Sequence, residues 1–569
     1  MGRIVDELLA KRGLSGAAAD EYLDPSVRRL VKAAELPGMS DAVECILPFV
    51  RDRRRIVIFG DYDCDGVCAS AILSKTLARL GANSTAFVPD RFSEGYGLTP
   101  QSVDRLLREH PDVALVVTVD CGVTSAAEVK TLRERGVAVV VTDHHLPPDE
   151  LPECDALVDM KAVAAHRIPV SDGAADLCGA GVAFFLANAL AVRAAELGMY
   201  GGGKFGGPLL VLAGLATVVD IVPLLGQNRI LAANALQMFR GSAVVGLSEL
   251  LQRAQRRPVA LTARDFGFLI GPRINAAGRM ATARTAYDLL MTEDREEARR
   301  LAHDVDVHNV ERKTIEAAML NDAVSQVEAS RPSAVVVANE RSDGPVKWHS
   351  GVSGNVASRL VEKYRVPVAV VVDGRGSVRA PDGYNVHSAL TACSEFLLRF
   401  GGHVAAGGFT VKDGMLDGFM RGFAAACAAQ ADGLEVAQNG AVLDEPDLWV
   451  DPADLTVELH GELQKMAPFG EGNPEPVFGL RGVVFSDIKP FGESGRHISF
   501  MFSDRRIPRA VWWGRGDMAE KLRSKAAESF DVTFTLEVSD WGGEEPHPEL
   551  RVTSLAPSRG TASASSPAA

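Results

Sequence analysis

The stretch Arg55-Ile56-Val57-Ile58-Phe59-Gly60-Asp61-Tyr62-Asp63-Cys64-Asp65-Gly66 runs from a compact apolar segment into three carboxylates at alternate positions. Residues 55–59 read as a buried strand, and residues 67–80, stopped by Gly81, as a helix. Like charges at this spacing repel one another and make poor strand material. Asp is common in turns, so a solvated turn is the plain alternative. Hard carboxylates gathered this closely suit a divalent cation.

The alternation continues outward. Residues 85–88, 113–119 and 137–141 are short apolar, β-branched runs, while 101–110 and 126–135 carry helical patterns. Strands alternating with helices of about ten residues indicate βαβ units and a parallel sheet. In such sheets ligands gather at the carboxyl ends of the strands. The polar residues fall at those ends: Asp61, Asp63 and Asp65 after the first strand, Asp120 after Val119, and Asp143-His144-His145 after Val141. Several Asp with His suit Mn2+ or Mg2+ better than a structural zinc. Carboxylates shared between two ions also suit a two-metal phosphoryl-transfer site. Adjacent histidines point in different directions, so one is expected to ligate and the other to serve the substrate. Asp220 ends the apolar stretch 209–219. Alone, such an Asp is more often a helix cap or a surface residue; it joins the set only in company with the other acids.

At 569 residues the chain exceeds one ordinary core, and about 150 residues per domain suggests three or four domains. Its apolar runs fall short of the roughly 20 residues that span a bilayer, and Met1–Asp6 lacks a signal-peptide core. A cytoplasmic protein with no membrane partner is expected. The eight cysteines form no C-x-x-C pair, which argues for reduced thiols rather than a disulfide framework or thiolate zinc. A formal charge of −14 argues against a simple basic nucleic-acid coat but does not exclude a local basic channel.

Beyond the sheet, residues 4–12 and 17–23 read as helices of a small N-terminal extension. Residues 180–330 are mainly helical, with a long charged connector over 296–329. Apolar runs at 333–337 and 368–372 open a second α/β module. From about 440 the segments shorten and alternate (482–486, 498–502, 509–513, 530–538, 549–554), as in a small β-barrel. The Ser/Ala/Pro tail carries no apolar payload and reads as disordered. Gly271-Pro272-Arg273-Ile274-Asn275-Ala276-Ala277-Gly278-Arg279 is expected as a small-residue loop whose arginines suit phosphate; a surface loop is the alternative. The glycines of residues 400–408 expose backbone amides to phosphate, although a packing loop explains them nearly as well. Arg51–Arg55 and Arg253–Arg257 are basic clusters of a kind that are mostly solvated faces. Trp512-Trp513 are either base-stacking platforms or barrel core.

Together these segments resemble the DHH phosphoesterase superfamily, and within it the RecJ family of single-strand-specific DNA exonucleases. Asp61-Tyr62-Asp63-Cys64-Asp65-Gly66, Val119-Asp120-Cys121-Gly122, Thr142-Asp143-His144-His145 and Thr217–Leu224 are similar to its four motifs. Gly271–Arg279, Trp348–Leu360, the Gly-Gly-His segment within 400–408, and Pro468–Pro476 resemble its later signatures. Many superfamily members carry His where Phe59 stands here, and Asp61 substitutes for it.

The resemblance implies an α/β protein. Its parts are an N-terminal helical extension (1–50), a parallel-sheet DHH catalytic domain (51–225) and a helical region with connector helix (226–330). A smaller α/β DHHA1 domain (331–432), an OB-like β-barrel domain (440–556) and a disordered tail (557–569) follow. It implies a metal-dependent exonuclease on single-stranded DNA, 5′-to-3′, in repair and recombination, with a single-stranded-DNA-binding protein and a helicase as partners. Asp61, Asp63, Asp65, Asp120, His144 and Asp220 would hold one or two Mn2+ or Mg2+ ions. His144, His145 and Asp143 would form the catalytic group. Arg273, Asn275, Arg279, Ser353, Ser358, Arg359, Gly401, Gly402 and His403 would position the strand. The alternatives are another DHH phosphoesterase, acting on oligoribonucleotides or cyclic dinucleotides, or a catalytically silent DNA-binding scaffold.

Overall fold

A computed structural model of the chain describes residues 2–165, 170, 173–202, 206–239, 244–255, 261–330, 334–339, 346–402, 404–431, 443–525, 527–539 and 545–558. His403, Arg256, Arg257 and the tail from 559 therefore lie outside the described residues.

Five strands form the first sheet: β1 (Arg55–Gly60), β2 (Ser84–Phe87), β3 (Val113–Val119), β4 (Ala138–Thr142) and β5 (Ala156–Val158). Their order is β2-β1-β3-β4-β5, and every pairing is parallel. Side chains alternate between two faces. Ile56, Ile58, Leu115 and Val117 enter one core, and Val57, Phe59, Val116 and Val139 enter the other. Burial on both sides explains why these strands read as continuous apolar runs. Strand order reverses between β1 and β3, and a crevice opens at the carboxyl ends on either side of such a switch.

Helix Cys64–Arg79 begins three residues earlier than expected because Asp63 caps it. Helix Gly179–Glu196 is, among the described residues, the one helix long and apolar enough to cross a membrane, yet 67% of it is buried. It packs in the core beside the first sheet with helix Gly207–Val219.

The connector Arg295–Ser330 is a single helix of 36 residues, roughly 54 Å long at 1.5 Å per residue. Beyond it lie β6 (Val335–Asn339), β7 (Val368–Val372), β8 (Arg375–Arg379), β9 (Leu397–Gly402) and β10 (Ala406–Val411), in the order β6-β7-β8-β10-β9. The glycines around 400–408 sit on the β9–β10 hairpin, not on a helix-packing loop. A seven-stranded sheet spanning Leu448–Pro557 closes the described fold around Phe478, Phe485, Phe500, Phe502, Phe530 and Phe534. The expected strand at 482–486 is instead a junction, where one strand ends at Val483 and the next starts at Phe485.

Two segments differ more substantially from expectation. Gly271–Met280 is a helix, not a loop. Its glycines serve close packing: a Cβ on Gly271 would lie 2.5 Å from the Val219 side chain, and one on Gly278 would lie 2.7 Å from the Tyr62 carbonyl oxygen. At the N-terminus, Ile4, Val5, Leu8 and Leu9 of helix Arg3–Lys11 are buried in the core of the C-terminal barrel, whereas helix Met39–Arg51 packs into the core beside the first sheet. Arg229 joins the three parts. It donates to the carbonyls of Tyr22 (2.9 Å), Met466 (2.8 Å) and Lys465 (3.2 Å), with its guanidinium 4.0 Å from the Tyr22 ring centroid.

Candidate metal centre

The crevice at the strand switch is where the acids converge. Asp61 follows β1 and is buried. Asp63 Oδ1 accepts from the amides of Asp65 (2.9 Å) and Gly66 (3.1 Å), which fixes the turn into the helix. Position 66 must be glycine here, since a Cβ would lie 2.6 Å from the backbone N and O of Asp61. Asp65 points across to helix Gly179–Glu196, accepting from Gly179 N (2.6 Å) and Ala180 N (2.8 Å). A helix N-terminus favours a carboxylate.

Asp120 follows β3 with φ of 62°, a left-handed conformation that a non-glycine residue adopts only under tertiary constraint. It turns the carboxylate toward the crevice, where His144 Nε2 lies 3.0 Å from Asp120 Oδ1. The same nitrogen lies 3.7 Å from both Asp65 Oδ2 and Asp220 Oδ2. Asp220 arrives from a different layer, as the C-cap of helix Gly207–Val219. The structure thus brings Asp61, Asp63, Asp65, Asp120, His144 and Asp220 into one cluster. Donor atoms lie within 4.8 Å of one another in each of the sets Asp61/Asp63/Asp120, Asp65/His144/Asp220 and Asp120/His144/His145.

Asp143 belongs to a different role. Its Oδ1 accepts from the amides of His144 (2.7 Å) and His145 (3.2 Å) and pairs with His145 Nδ1 (2.7 Å), while Oδ2 accepts from Val123 N (2.9 Å). With both oxygens engaged, it holds His145 in place rather than offering a ligand atom. His145 keeps a partly exposed side chain at the crevice.

The electrostatics fit a divalent cation. Burial, reinforced by neighbouring acids, pushes the carboxyls of Asp61 and Asp120 well above the usual range and that of Asp220 up to about 9. Burial pushes His144 down to about 4, so its imidazole is neutral and free to ligate. Against the opposing effect of burial, the His145 bond and charge and the Val123 and His144 amides hold Asp143 below its ordinary value. Asp61 Oδ1, Asp120 Oδ1 and His144 Nδ1 are buried without hydrogen-bond partners. Unpaired buried acceptors are costly, and a divalent ion would satisfy the carboxylate ones. Carboxylate oxygens plus one imidazole are the donor set of Mn2+ or Mg2+.

The residues expected to position a strand divide. Arg279 lies beside the centre, donating to Gly351 O (3.3 Å) and Asn355 Oδ1 (3.0 Å). Burial and the like charges of Arg91 and Arg312 lower it to about 10. Arg379 shares this wall, since it acts on Arg279 and is itself acted on by Arg91. Among the described residues neither Arg91, Arg279 nor Arg379 forms an ion pair with a carboxylate.

Asn275 Oδ1 instead accepts from Cys64 N (2.7 Å), bracing the acidic turn. Arg273 is engaged with Asp306 (2.9 Å) and Leu269 O (2.8 Å), and Arg359 pairs with Glu362 and Glu316. Ser353 bonds Ser350 O and Ser377 Oγ, and Ser358 bonds Gly354 O within its own helix. Gly401 and Gly402 lie on β9. Arg91 and Tyr96 were missed by sequence reasoning, although they follow β2 by the same strand-end rule that picked out Asp120. The cue is Glu94-Gly95-Tyr96-Gly97, an aromatic between two glycines.

Against known families, residues 55–201 match the DHH family N-terminal domain, residues 313–429 the DHHA1 domain, and residues 446–553 the RecJ OB domain. The chain is 34% identical over 490 residues to the single-stranded-DNA-specific exonuclease RecJ of Escherichia coli, covering 84% of this chain and 82% of the relative. It is 31% identical to that of Bacillus subtilis, covering 97% and 68%. The crystal structure of RecJ from Thermus thermophilus in complex with Mn2+ superposes with a TM-score of 0.80 at 32% identity, covering 97% of this chain and 75% of that one. The Mg2+ complex gives 0.73 at 30% identity, covering 96% and 74%. With all three domain types present and relatives of more than 30% identity matched over most of their length, the chain belongs to the RecJ family of DHH phosphoesterases.

Proposed function

We propose that this chain is an exonuclease that hydrolyses phosphodiester bonds of single-stranded DNA with Mn2+ or Mg2+ as cofactor. The observation that carries this is the complete cluster of Asp61, Asp63, Asp65, Asp120, His144 and Asp220 beside a wall of arginines without carboxylate partners. When bound, the metal supplies an activated water and neutralises charge on the phosphate. The protein's own groups do the rest. The carboxylates and His144 would hold the ions, Asp143 orients His145 toward the scissile phosphate, and Arg91, Arg279 and Arg379 would hold a strand phosphate through charge-assisted hydrogen bonds. Asn275 acts one step back, by fixing the turn that carries the acids.

The barrel would extend the nucleic-acid path. Trp512 is core, but Trp513 is half exposed, with its ring centroid 4.8 Å from that of His497 and 5.5 Å from that of Phe491. Such a cluster is a stacking platform of the kind single strands use. Degradation from the 5′ end, a place in repair and recombination, a cytoplasmic setting, and partnership with a single-stranded-DNA-binding protein and a helicase complete the proposal. The domain bounds 51–225, 226–330, 331–432 and 440–556 are kept, with residues 1–50 shared between catalytic domain and barrel.

The test is a digest by the purified protein of 5′-labelled single-stranded DNA, duplex DNA, short RNA and cyclic dinucleotides, each with Mn2+, Mg2+ or EDTA. Metal-dependent loss of the single strand alone is expected. Preference for RNA or a cyclic dinucleotide would overturn the substrate, and inertness toward all four would leave a binding scaffold.

A further inference from the structure

His145 is held on one side only. Its Nδ1 is taken by Asp143 at 2.7 Å, which leaves Nε2 as the nitrogen a substrate oxygen can reach. Over the same ring stands Tyr96. Its hydroxyl lies 3.1 Å from His145 Nε2 and 3.2 Å from Nδ1, with ring centroids 5.7 Å apart at 75°. Near-equal distances to two nitrogens of one ring place the hydroxyl over the ring rather than in line with one lone pair, so the bond is weak. Its other partner among the described residues is the Asp120 carbonyl at 3.4 Å, again long. The O–H therefore stands at the rim of the metal centre with its donor capacity largely unused.

The loop that presents Tyr96 is firmly built. Gly95 and Gly97 take left-handed φ of 92° and 66° on either side of it. Buried Glu94 pairs with Arg105 at 2.6 Å, and the Arg105 guanidinium lies 3.9 Å from the Phe87 ring centroid at the end of β2. The Tyr96 ring meets Tyr62 edge-on at 6.3 Å and 83°. Tyr62 stands between Asp61 and Asp63 and carries the Arg91 guanidinium 5.1 Å from its own ring centroid. A donor fixed in place before substrate arrives is what transition-state stabilisation requires.

We infer that Tyr96 is a catalytic residue whose hydroxyl donates a hydrogen bond to a non-bridging oxygen of the scissile phosphoryl group, beside His145. This rests on the exonuclease function proposed above. In the reaction the water gives up a proton to solvent as its oxygen bonds to phosphorus, the bond from phosphorus to the leaving strand oxygen breaks, and that oxygen takes a proton from solvent. Tyr96 keeps its proton throughout and supplies only the hydrogen bond.

The experiment compares wild type and Tyr96→Phe on single-stranded DNA carrying, at the cleaved linkage, either the ordinary phosphate or one of the two phosphorothioate diastereomers. Mn2+ is present throughout. On ordinary phosphate, kcat is expected to fall on the order of 10²-fold, the scale of losing one such donor. KM should stay nearly constant, because the contact strengthens only as charge builds, and the melting temperature should be unchanged. Sulfur is a poor hydrogen-bond acceptor. On one diastereomer the variant should therefore lose almost nothing further, while on the other it keeps its full deficit. An equal deficit on all three linkages, or no deficit on any, overturns the role of Tyr96 and leaves the exonuclease standing. A wild-type protein that cleaves no single strand overturns both.

Discussion

Stripping the protein of metal with EDTA and raising the pH from 6.5 to 8.5 should lower its melting temperature, and Mn2+ should abolish that slope. The magnitude follows from the crowded acids. Without a cation, Asp220 holds its proton up to about 9 in the folded protein against an ordinary 3.8. Such a group contributes stability that is complete below 3.8 and is lost as pH rises toward 9. Within that window one such acid withdraws roughly 3 kcal/mol between pH 6.5 and 8.5. Asp61 and Asp120 are shifted in the same direction and add to it. His144 works the other way, since its folded value of about 4 lies below the ordinary 6.5. Its contribution is present above 6.5 and lost as pH falls through 4, so it offsets the acids only below 6.5. Above that, this centre titrates in one direction.

Mn2+ demands deprotonated carboxylates. Its apparent affinity should therefore rise about tenfold per pH unit for each proton displaced, and the gain in melting temperature on adding it should grow with pH. Melting curves at pH 6.5, 7.5 and 8.5 with and without Mn2+ measure the slope. Titration calorimetry in two buffers of different ionisation enthalpy counts the protons released. A gain independent of pH, with no proton release, would mean that the acids are ionised without metal and are not a mutually coupled ligand set.

Three further outcomes are expected. Asp65→Ala and His144→Ala should each abolish Mn2+-dependent cleavage of a labelled single strand. Only Asp65→Ala should also lose about 1–2 kcal/mol in denaturant melts, because it leaves the Gly179 and Ala180 amides without their acceptor; wild-type digestion by either would sink the ligand assignment. Arg229→Ala should destabilise by about 2–4 kcal/mol and open the barrel junction to limited proteolysis, since the carbonyls of Tyr22, Lys465 and Met466 each lose the hydrogen bond it donates; an unchanged proteolysis pattern would deny that junction its role. Removing residues 440–569 should weaken single-strand binding, flatten its salt dependence so that the loss is largest at low salt, and leave Ile4, Val5, Leu8 and Leu9 exposed. The truncated chain should therefore aggregate unless residues 1–16 are removed as well, and equal solubility of the two forms would refute the packing.

Local chemistry explains what was legible beforehand. Apolar runs such as Val113–Val119 announce a strand because its whole length is buried, and a carboxylate at the end of each strand follows from the polarity of parallel sheets. Asp61, Asp63, Asp65, Asp120 and His144 were therefore readable as a set, and Asp220 only in their company. Resemblance to known motifs named the chemistry and the order of the domains.

Other features depended on what lay far away in the chain. Gly271–Met280 looked like a loop from its composition, yet its glycines are demanded by Val219 and Tyr62 pressing against a helix. Arg273 looked like a phosphate contact until Asp306, on the connector helix, claimed its guanidinium. Arg91 and Arg379 became partners of Arg279 only through the packing of one domain on the other. The first helix found its core in the last domain. The sequence by itself determined the strands, the acids at their ends and the metal they call for, because those depend on neighbours along the chain. Tertiary structure alone decided which guanidiniums remain free for a strand, that Asp143 serves His145, and that Tyr96 stands beside them. Those outcomes depend on which distant groups satisfy one another first.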